Sequence, residues 1–245
     1  MYNYKLVIQY DGTRYDGWQR MGKDESINTI EYKIAEILRK MTGEEIQIFC
    51  GCRTEKGVHA RGQVINFKLD EQKKPYEVKN YLNRYLPRDI AVISAEVVPE
   101  RFHSQLNAKG KEYVYQLDTG DVADVFERRY RYNTFEKPDF KAMRKAAGYF
   151  AGEHDFKAFT TAKKSKSTVR TINSIDIVEN GDKVKIIISA NDFLHNMARC
   201  MLLDVGNGLK KPEAVRDIMD GKDVQMSLPA ESYALFLEKI IYQEA

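Results

Sequence analysis

The sequence has few cysteines and no long apolar run, and both absences limit the class of protein. Its three cysteines, Cys50, Cys52 and Cys200, are an odd number without the spacing of a disulfide framework, which suits a reducing compartment. No stretch approaches the roughly 20 apolar residues that cross a bilayer, and the N-terminus lacks the apolar segment of a signal peptide. We therefore expect a soluble, cytoplasmic protein.

Motifs for nucleotide cofactors, metals and common hydrolases are also absent. There is neither a GxxxxGK[ST] loop nor a GxGxxG turn after a strand, and GxSxG and HExxH do not occur. Cys50 and Cys52 with His59 lack the spacing of a zinc site. In a strand the two thiols would share one face, so we expect them to pack in the core. We expect no cofactor and no metal.

The net charge of +3 and the pI near 8.5 are too mild to indicate a nucleic-acid-binding protein by themselves. The basic residues are nevertheless clustered, at 128–131, at 163–166 and between Arg53 and Arg61. One such cluster is typical of a solvated face. Three clusters with tyrosines nearby favour contact with an RNA backbone.

A chain of 245 residues with 43% hydrophobic content is long enough for one large domain or two smaller ones. Alternating apolar residues predict a strand over Tyr4–Tyr10, and isoleucines three and four apart predict a helix over 28–42, with Asn28 and Glu31 at its N-cap. The same patterns predict further strands at 46–52, 63–69, 90–98, 112–117, 171–178 and 184–189, and further helices at 76–86, 139–151 and 194–206. We predict two tightly joined α/β halves, residues 1–107 and 108–245, that share one sheet.

The loop between the strands at 46–52 and 63–69 concentrates charged side chains. It places one carboxylate, Glu55, between Arg53 and Lys56, and Gly57 and Gly62 give its backbone freedom. Cations this close would lower the pKa of the carboxyl group and keep it ionised, as a nucleophile or an electrostatic stabiliser requires. A salt-bridged hairpin turn is the alternative interpretation.

The same loop resembles the signature GRTDxGVHAxGQV of the tRNA pseudouridine synthase A (TruA) family, from Arg53 to Val64. Further stretches resemble motifs of this family in the same order along nearly the whole chain: Tyr10–Arg20, Asn28–Glu31, Leu86–Ile90, Ala108–Tyr115, Gly152–Phe156, Thr168–Thr171 and Phe193–Arg199. The resemblance implies an α+β pseudouridine synthase fold, in which two related α/β halves share an antiparallel sheet with flanking helices and a central RNA-binding cleft.

The resemblance also implies a function. Members of this family are isomerases that convert uridine to pseudouridine in the anticodon stem-loop of tRNA, at positions 38–40, without metal or cofactor. It implies tRNA as the partner, a homodimer as the assembly, and no membrane or nucleotide cofactor.

Roles for individual residues follow from the same resemblance. Glu55 occupies the position of the essential carboxylate, Arg199 would pair with that carboxylate, and Tyr113 would stack on the extruded base and shuttle a late proton. Leu235 aligns with a wall of the uracil pocket. The remaining RNA contacts implied by the motifs are Arg53, His59, Arg14, Arg20, Lys109 and Lys111.

Position 55 departs from the family pattern, because the family has aspartate where this chain has glutamate. Glutamate keeps the charge but is one methylene longer, which moves the carboxylate by about 1 Å, and a displacement of that size can slow a reaction on the order of a hundredfold. Three interpretations follow: an active tRNA pseudouridine synthase, a catalytically impaired paralogue that binds tRNA or helps it fold, and a dimeric scaffold without an RNA partner.

Overall fold

The structure is a computed structural model that describes residues 1–19, 26–161, 167–201, 203–222 and 228–243. Arg20 and the basic run 163–166 lie outside the described residues. The chain divides into two compact units, Met1–Lys109 with Phe236–Ala245, and Gly110–Leu235. Across the described ranges, no helix is both long enough and apolar enough to cross a membrane.

The first unit is built on a mostly antiparallel sheet. Its strands are β1 (Tyr2–Tyr10), β2 (Phe49–Cys50), β3 (His59–Leu69) and β4 (Ile90–Val98), together with β10 (Leu235–Tyr242) from Phe236 onward. β1 pairs antiparallel with both β3 and β4, whereas β10 pairs parallel with the start of β3, with Phe236 opposite His59. Every second side chain of β1 from Tyr4 to Tyr10 is buried, as its apolar alternation predicts.

Two helices, α1 (Ile30–Thr42) and α2 (Pro75–Tyr85), also belong to the first unit. The buried face of α1 follows the predicted three- and four-residue spacing. The predicted Asn28 cap is wrong, because Thr29 Oγ1 accepts the hydrogen bond from the backbone N–H of Tyr32 at 3.3 Å. The amide of Asn28 instead donates to the carbonyl of Arg14.

The strands of the second unit are also mostly antiparallel. β5 (Ala108–Asp118), β9 (Lys183–Ala190), β8 (Val169–Asn180) and β7 (Gly152–Asp155) are hydrogen-bonded in that order, and every neighbouring pair is antiparallel. The short strand β6 (Tyr132–Asn133) pairs parallel with the end of β5. The helices are α3 (Phe140–Phe150), α4 (Met197–Cys200), α5 (Leu203–Gly206) and α6 (Pro212–Met219).

The structure confirms the mixed α and β class and most of the predicted elements. Three predictions need correction. The strand at 46–52 pairs over only two residues, the strand at 63–69 begins at His59, and the helix at 194–206 is two short helices. Strand β10 was not predicted, and it places the chain from Phe236 onward with the first unit rather than with the second half.

Candidate active site

The loop from Gly51 to Val58 carries Glu55, and it begins where the pairing of β2 with β3 ends. The last backbone bond of this ladder runs from Gly51 N–H to the Val64 carbonyl at 2.8 Å. At Cys52 the side chain of Gln63 supplies the hydrogen bonds that a partner strand would otherwise make. Its Oε1 accepts from the Cys52 N–H at 3.2 Å, and its Nε2 donates to the Cys52 carbonyl at 2.6 Å. A buried amide thus satisfies both backbone groups of Cys52.

The hydroxyl of Tyr10 extends this arrangement to Thr54. Gln63 Oε1 also accepts from the Val64 N–H at 3.1 Å, and two backbone donors on one oxygen fix the orientation of the amide. Nε2 is therefore the donor to the Tyr10 oxygen at 3.3 Å, which leaves the phenolic proton for Thr54 Oγ1 at 2.8 Å. Burial raises the pKa of Tyr10, so its hydroxyl stays protonated and able to donate.

The other side of the loop is held by the segment Asp11–Trp18. The Trp18 N–H donates to the Thr54 carbonyl at 3.0 Å. Gly17 has φ of +90°, and a Cβ there would lie 2.9 Å from the Thr54 carbonyl oxygen. At Gly12 a Cβ would lie only 2.0 Å from the Val58 carbonyl oxygen. Close backbone packing therefore requires glycine at both positions.

His59, at the start of β3, is part of this packing and is only 1% exposed. Its Nδ1 lies 3.0 Å from the Gly12 N–H and 3.1 Å from Asp11 Oδ1. The backbone N–H is a fixed donor, so Nδ1 acts as the acceptor and the Asp11 contact is not a hydrogen bond. The ring stacks on Phe236 with centroids 4.6 Å apart. His59 thus joins the loop to β10.

Glu55 itself is half-buried on this clamped turn. The turn is closed by a hydrogen bond from the Val58 N–H to the Glu55 carbonyl at 3.1 Å. The neighbouring cation, Lys56, forms an exposed ion pair with Asp16 at 2.8 Å, and the hydrogen bond from Lys56 lowers the pKa of Asp16. The backbone position of Glu55 is therefore determined by both sides of the loop.

Arg53 is exposed at the edge of a groove of about 580 Å³ in the first unit. The groove lies between α1 and the stretch that leads into β2. Its wall includes apolar side chains from Ile46, Ile48 and Phe49, with Arg39 also present. A guanidinium beside an open groove is suited to a phosphate or to the face of a base.

In the second unit, Tyr113 and Lys111 lie on β5. Tyr113 is buried, and its ring meets the ring of Phe193 edge to face at 5.0 Å. Lys111 is 8% exposed and forms an ion pair with Asp192. Arg170 also approaches Asp192, at 3.7 Å. Lys111 thus belongs to a charge cluster with Asp192 and Arg170 within its own unit.

Arg199 lies on the short helix α4 and is half-buried. Asn196, just before this helix, has φ of 61°, a left-handed conformation that is uncommon for residues other than glycine. The guanidinium donates from Nε to the Ala230 carbonyl at 2.5 Å and from Nη1 to Asn196 Oδ1 at 2.8 Å. Both bonds fix the direction of the side chain.

Tyr115, two residues beyond Tyr113 on β5, was not predicted to act at the site. Its hydroxyl is buried and has no hydrogen-bond partner within the described part of the chain. Burial is the largest cause that raises the pKa of Tyr115, and the nearby Tyr233 raises it further. Tyr113 and Tyr115 share one face of β5, because side chains alternate along a strand, and this period of two was the available signal.

The other predicted RNA contacts lie in different surroundings. Arg14 is exposed and pairs with Asp89 at 2.5 Å, and Lys109 is exposed at the start of β5. Leu235 is 2% exposed at the start of β10. Arg20 lies outside the described residues. No group of three or more metal-ligating side chains occurs among the residues that the structure describes.

Comparison with known proteins extends the similarity to nearly the whole chain. A family model described as tRNA pseudouridine synthase matches residues 6–107 and 146–243. The tRNA pseudouridine synthase A of Bacillus sp. (strain KSM-64) is 47% identical, over 99% of this chain and 100% of that protein. A tRNA pseudouridine synthase A 2 from Bacillus cereus is 43% identical, over 98% of this chain and 99% of its own. This chain therefore belongs to the tRNA pseudouridine synthase family, whose members are isomerases.

Proposed function

We propose that this tRNA pseudouridine synthase acts in the cytoplasm on uridines of the anticodon stem-loop, at positions 38–40 of the tRNA, with Glu55 as its essential carboxylate. In the reaction the bond between C1′ and N1 of uridine breaks, a bond between C1′ and C5 forms, and the C5 proton is replaced by a proton on N1. Product and substrate are isomers, so the reaction needs no oxidant or reductant.

A carboxylate beside the ribose is suited to the difficult step of this reaction. Cleavage of the C1′–N1 bond develops positive charge on the sugar and negative charge on the departing uracil. An ionised carboxylate stabilises the cation, or removes a proton from the sugar in a glycal route. The target nucleotide must also leave its stack so that the uracil can turn and rejoin through C5.

The placement of Glu55 is the observation that carries this proposal. It is half-buried on a turn whose backbone is hydrogen-bonded on both sides, and the resemblance to the family motif assigns it the position of the essential carboxylate. A surface hairpin that served only as a connection would not need a buried amide and two tightly packed glycines to hold it. This arrangement favours the catalytic interpretation of the loop over the salt-bridged turn.

We assign the remaining roles within the same proposal. Tyr113 stacks on the extruded base and shuttles the late proton, and Arg199 is the cation of the active site. Ordered surroundings support both roles, since Phe193 packs on Tyr113 and Asn196 holds Arg199.

RNA backbone contacts require accessible cations, and exposure divides the predicted set. Arg14, Arg53 and Lys109 are exposed, and we propose that they bind phosphates. His59 and Lys111 are buried, so their contribution is to hold the loop and the β5 strand in place.

The test uses a tRNA transcript without modifications and three forms of the protein. Pseudouridine at positions 38–40 is mapped chemically after incubation with the wild type, Glu55→Gln or Glu71→Gln. Glu71 is a matched control, because its carboxylate lies in the same unit and is 88% exposed. We expect product with the wild type and the control, and none with Glu55→Gln.

Three other outcomes would contradict this proposal. Product formation by Glu55→Gln would remove the carboxylate role. Tight tRNA binding by a wild type that forms no product would support the impaired paralogue, and a wild type that neither binds nor modifies tRNA would favour the scaffold.

We also propose that the chain is a homodimer and that the segment 119–137 contributes to its interface. Val122, Val125, Phe126 and Phe135 are among the most exposed large apolar side chains, and Phe126 is 89% exposed. The segment carries four acidic and four basic residues, a balance that suits a second copy of the same surface better than a polyanion. Phe126→Ser should shift the mass in solution from dimer to monomer, and an unchanged mass would exclude this surface.

A further inference from the structure

The hydrogen bonds among Tyr10, Thr54 and Gln63 lie next to Glu55 in a place where the stability of the fold does not require them. The ladder between β2 and β3 could simply have continued, and a turn would then have followed it. Instead, three buried side chains from three segments, Tyr10, Thr54 and Gln63, meet directly before Glu55. Their bonds fix two of the residues that precede Glu55, Cys52 at its backbone and Thr54 at its hydroxyl.

We propose that Tyr10 and Gln63 are positioning residues, which hold the backbone of the Cys52–Thr54 segment so that the Glu55 carboxylate is delivered to one place. This inference rests on the proposed catalytic role of Glu55. Neither residue touches the substrate in this account. They act through Thr54, whose carbonyl is held in turn by the Trp18 N–H.

A glutamate needs such support more than a shorter acid does. Its carboxylate is separated from the backbone by two methylene groups, so a small rotation at the backbone becomes a larger displacement at the charged end. Displacement of a reacting group by about 1 Å can slow a reaction on the order of a hundredfold. Hydrogen bonds on both sides of the loop reduce this displacement without adding any group to the reacting centre.

The chain supplies a close control for this proposal in Tyr4. Tyr4 lies on the same strand as Tyr10, is fully buried, and also uses its hydroxyl twice. It donates to the Lys73 carbonyl and accepts from the Lys73 N–H, each at 2.7 Å. These bonds hold the residue before the cap of α2 and do not involve the Glu55 loop. Loss of either hydroxyl should affect stability by a similar amount.

The experiment compares Tyr10→Phe with Tyr4→Phe in the full chain. Single-turnover rates of pseudouridine formation, tRNA dissociation constants and melting temperatures are measured for each. We expect Tyr10→Phe to reduce the rate by about tenfold or more, and to leave the dissociation constant within about twofold of the wild type. Tyr4→Phe should lower the melting temperature by a similar amount and leave the rate unchanged.

A second pair of variants keeps the proposal testable if Tyr10→Phe does not fold. Thr54→Val removes the hydroxyl that accepts the hydrogen bond from Tyr10 but keeps the volume of the side chain. Thr54→Ser keeps the hydroxyl. We expect a slow rate for Thr54→Val and a rate near that of the wild type for Thr54→Ser. In the double variant Tyr10→Phe with Thr54→Val, the factor by which the rate falls should be smaller than the product of the two single factors. Each single change already removes the same hydrogen bond between Tyr10 and Thr54.

Each failure has its own signature. If the wild type is active and Glu55→Gln is inactive, but Tyr10→Phe is as fast as Tyr4→Phe, the positioning role is wrong and the proposed function stands. If Glu55→Gln keeps full activity, the catalytic role of Glu55 fails first. Equal loss of rate in Tyr10→Phe and Tyr4→Phe would indicate a general structural effect and would also overturn the positioning role.

Discussion

At position 55, the backbone is fixed, so the length of the side chain determines where the carboxylate lies. The sequence alone left open whether a shift of the loop compensates for the extra methylene of glutamate. The structure shows a loop held at Cys52, Thr54 and Val58, so a compensating shift would break several buried hydrogen bonds. The remaining freedom lies in the torsions of the Glu55 side chain.

We therefore expect Glu55→Asp to slow the enzyme, since the shorter side chain withdraws the carboxylate by about 1 Å from the place that glutamate reaches. The expected loss in single-turnover rate is on the order of tenfold to a hundredfold, with little change in tRNA affinity. Quenched-flow or manual single-turnover assays would measure it. A faster Glu55→Asp enzyme would mean that the loop is positioned for the shorter acid and that glutamate impairs this chain.

Asp118 in the second unit gives a prediction about pH. It lies opposite Lys183 in the β5–β9 ladder, and the two side chains are 2.9 Å apart. Burial alone would raise the pKa of Asp118, but hydrogen bonds from Lys183 and from the backbone of Gly120 and Asp124 lower it overall.

A lowered pKa means that the ionised carboxylate stabilises the folded state at neutral pH, and that this stabilisation is lost as the pH falls through the folded pKa, which lies below the usual range of aspartate. Asp118→Asn should therefore reduce stability by about 1–3 kcal/mol at pH 7. The difference from the wild type should shrink in acid. Urea unfolding of both proteins at pH 7 and near pH 3 would measure it, and an equal difference at both pH values would contradict the assignment.

Among the structural elements, the segment 11–18 shows what glycine contributes beyond flexibility. A methyl group at Gly12 would lie 2.0 Å from the Val58 carbonyl oxygen, so Gly12→Ala must move either this segment or the Glu55 loop. We expect a loss of stability of more than about 1 kcal/mol together with a marked loss of activity.

Gly148→Ala is the matched control, because Gly148 lies in α3 and a Cβ there would meet no atom within 4 Å. It should stabilise the protein by about 0.5–1 kcal/mol and leave activity unchanged. Thermal unfolding and product mapping on both variants would check the pair. A Gly12→Ala protein with normal stability and activity would show that the close approach is not maintained.

The elements that the sequence predicted well have local causes. α1 was predicted from its apolar spacing, and β1 from its alternation. The predicted helix at 194–206 began too early, because Asn196 adopts a left-handed conformation that no local pattern indicates, and the helix starts only at Met197. β10 was missed because its run of apolar residues, Leu235–Leu237, reads equally as core of either type, and its pairing partner lies far away in the sequence.

The candidate site shows the same division between local and distant causes. Glu55 and its loop were predicted as the site from charge, glycine and family motif, all of which lie within a few residues. The hydrogen bonds of Tyr10 and Gln63 were not predicted, because each joins residues that are distant in the sequence. The period of two along β5 indicates that Tyr115 shares a face with Tyr113, but the burial of its hydroxyl depends on residues distant in the sequence.

For the whole molecule, the modest net charge of +3 leads us to expect a weak dependence of RNA affinity on salt. If affinity comes from phosphate contacts by a few exposed cations, the slope of log affinity against log salt should be correspondingly shallow. Three such contacts would lower tRNA affinity by roughly 20- to 40-fold between 50 and 200 mM salt. Filter binding over this range would measure the slope. An affinity that does not depend on salt would exclude phosphate contacts as its source.

The parallel pairing of β10 with the start of β3 has a consequence for biosynthesis. Phe236 lies beside His59, the residue that directly follows the Glu55 loop. The ribosome nevertheless synthesises Phe236 long after Met1–Lys109, the rest of the first unit. A nascent chain that has produced β1 to β4 still lacks the strand against which His59 packs. The first unit therefore reaches its final form only after the second has been synthesised, and a high contact order of this kind slows folding.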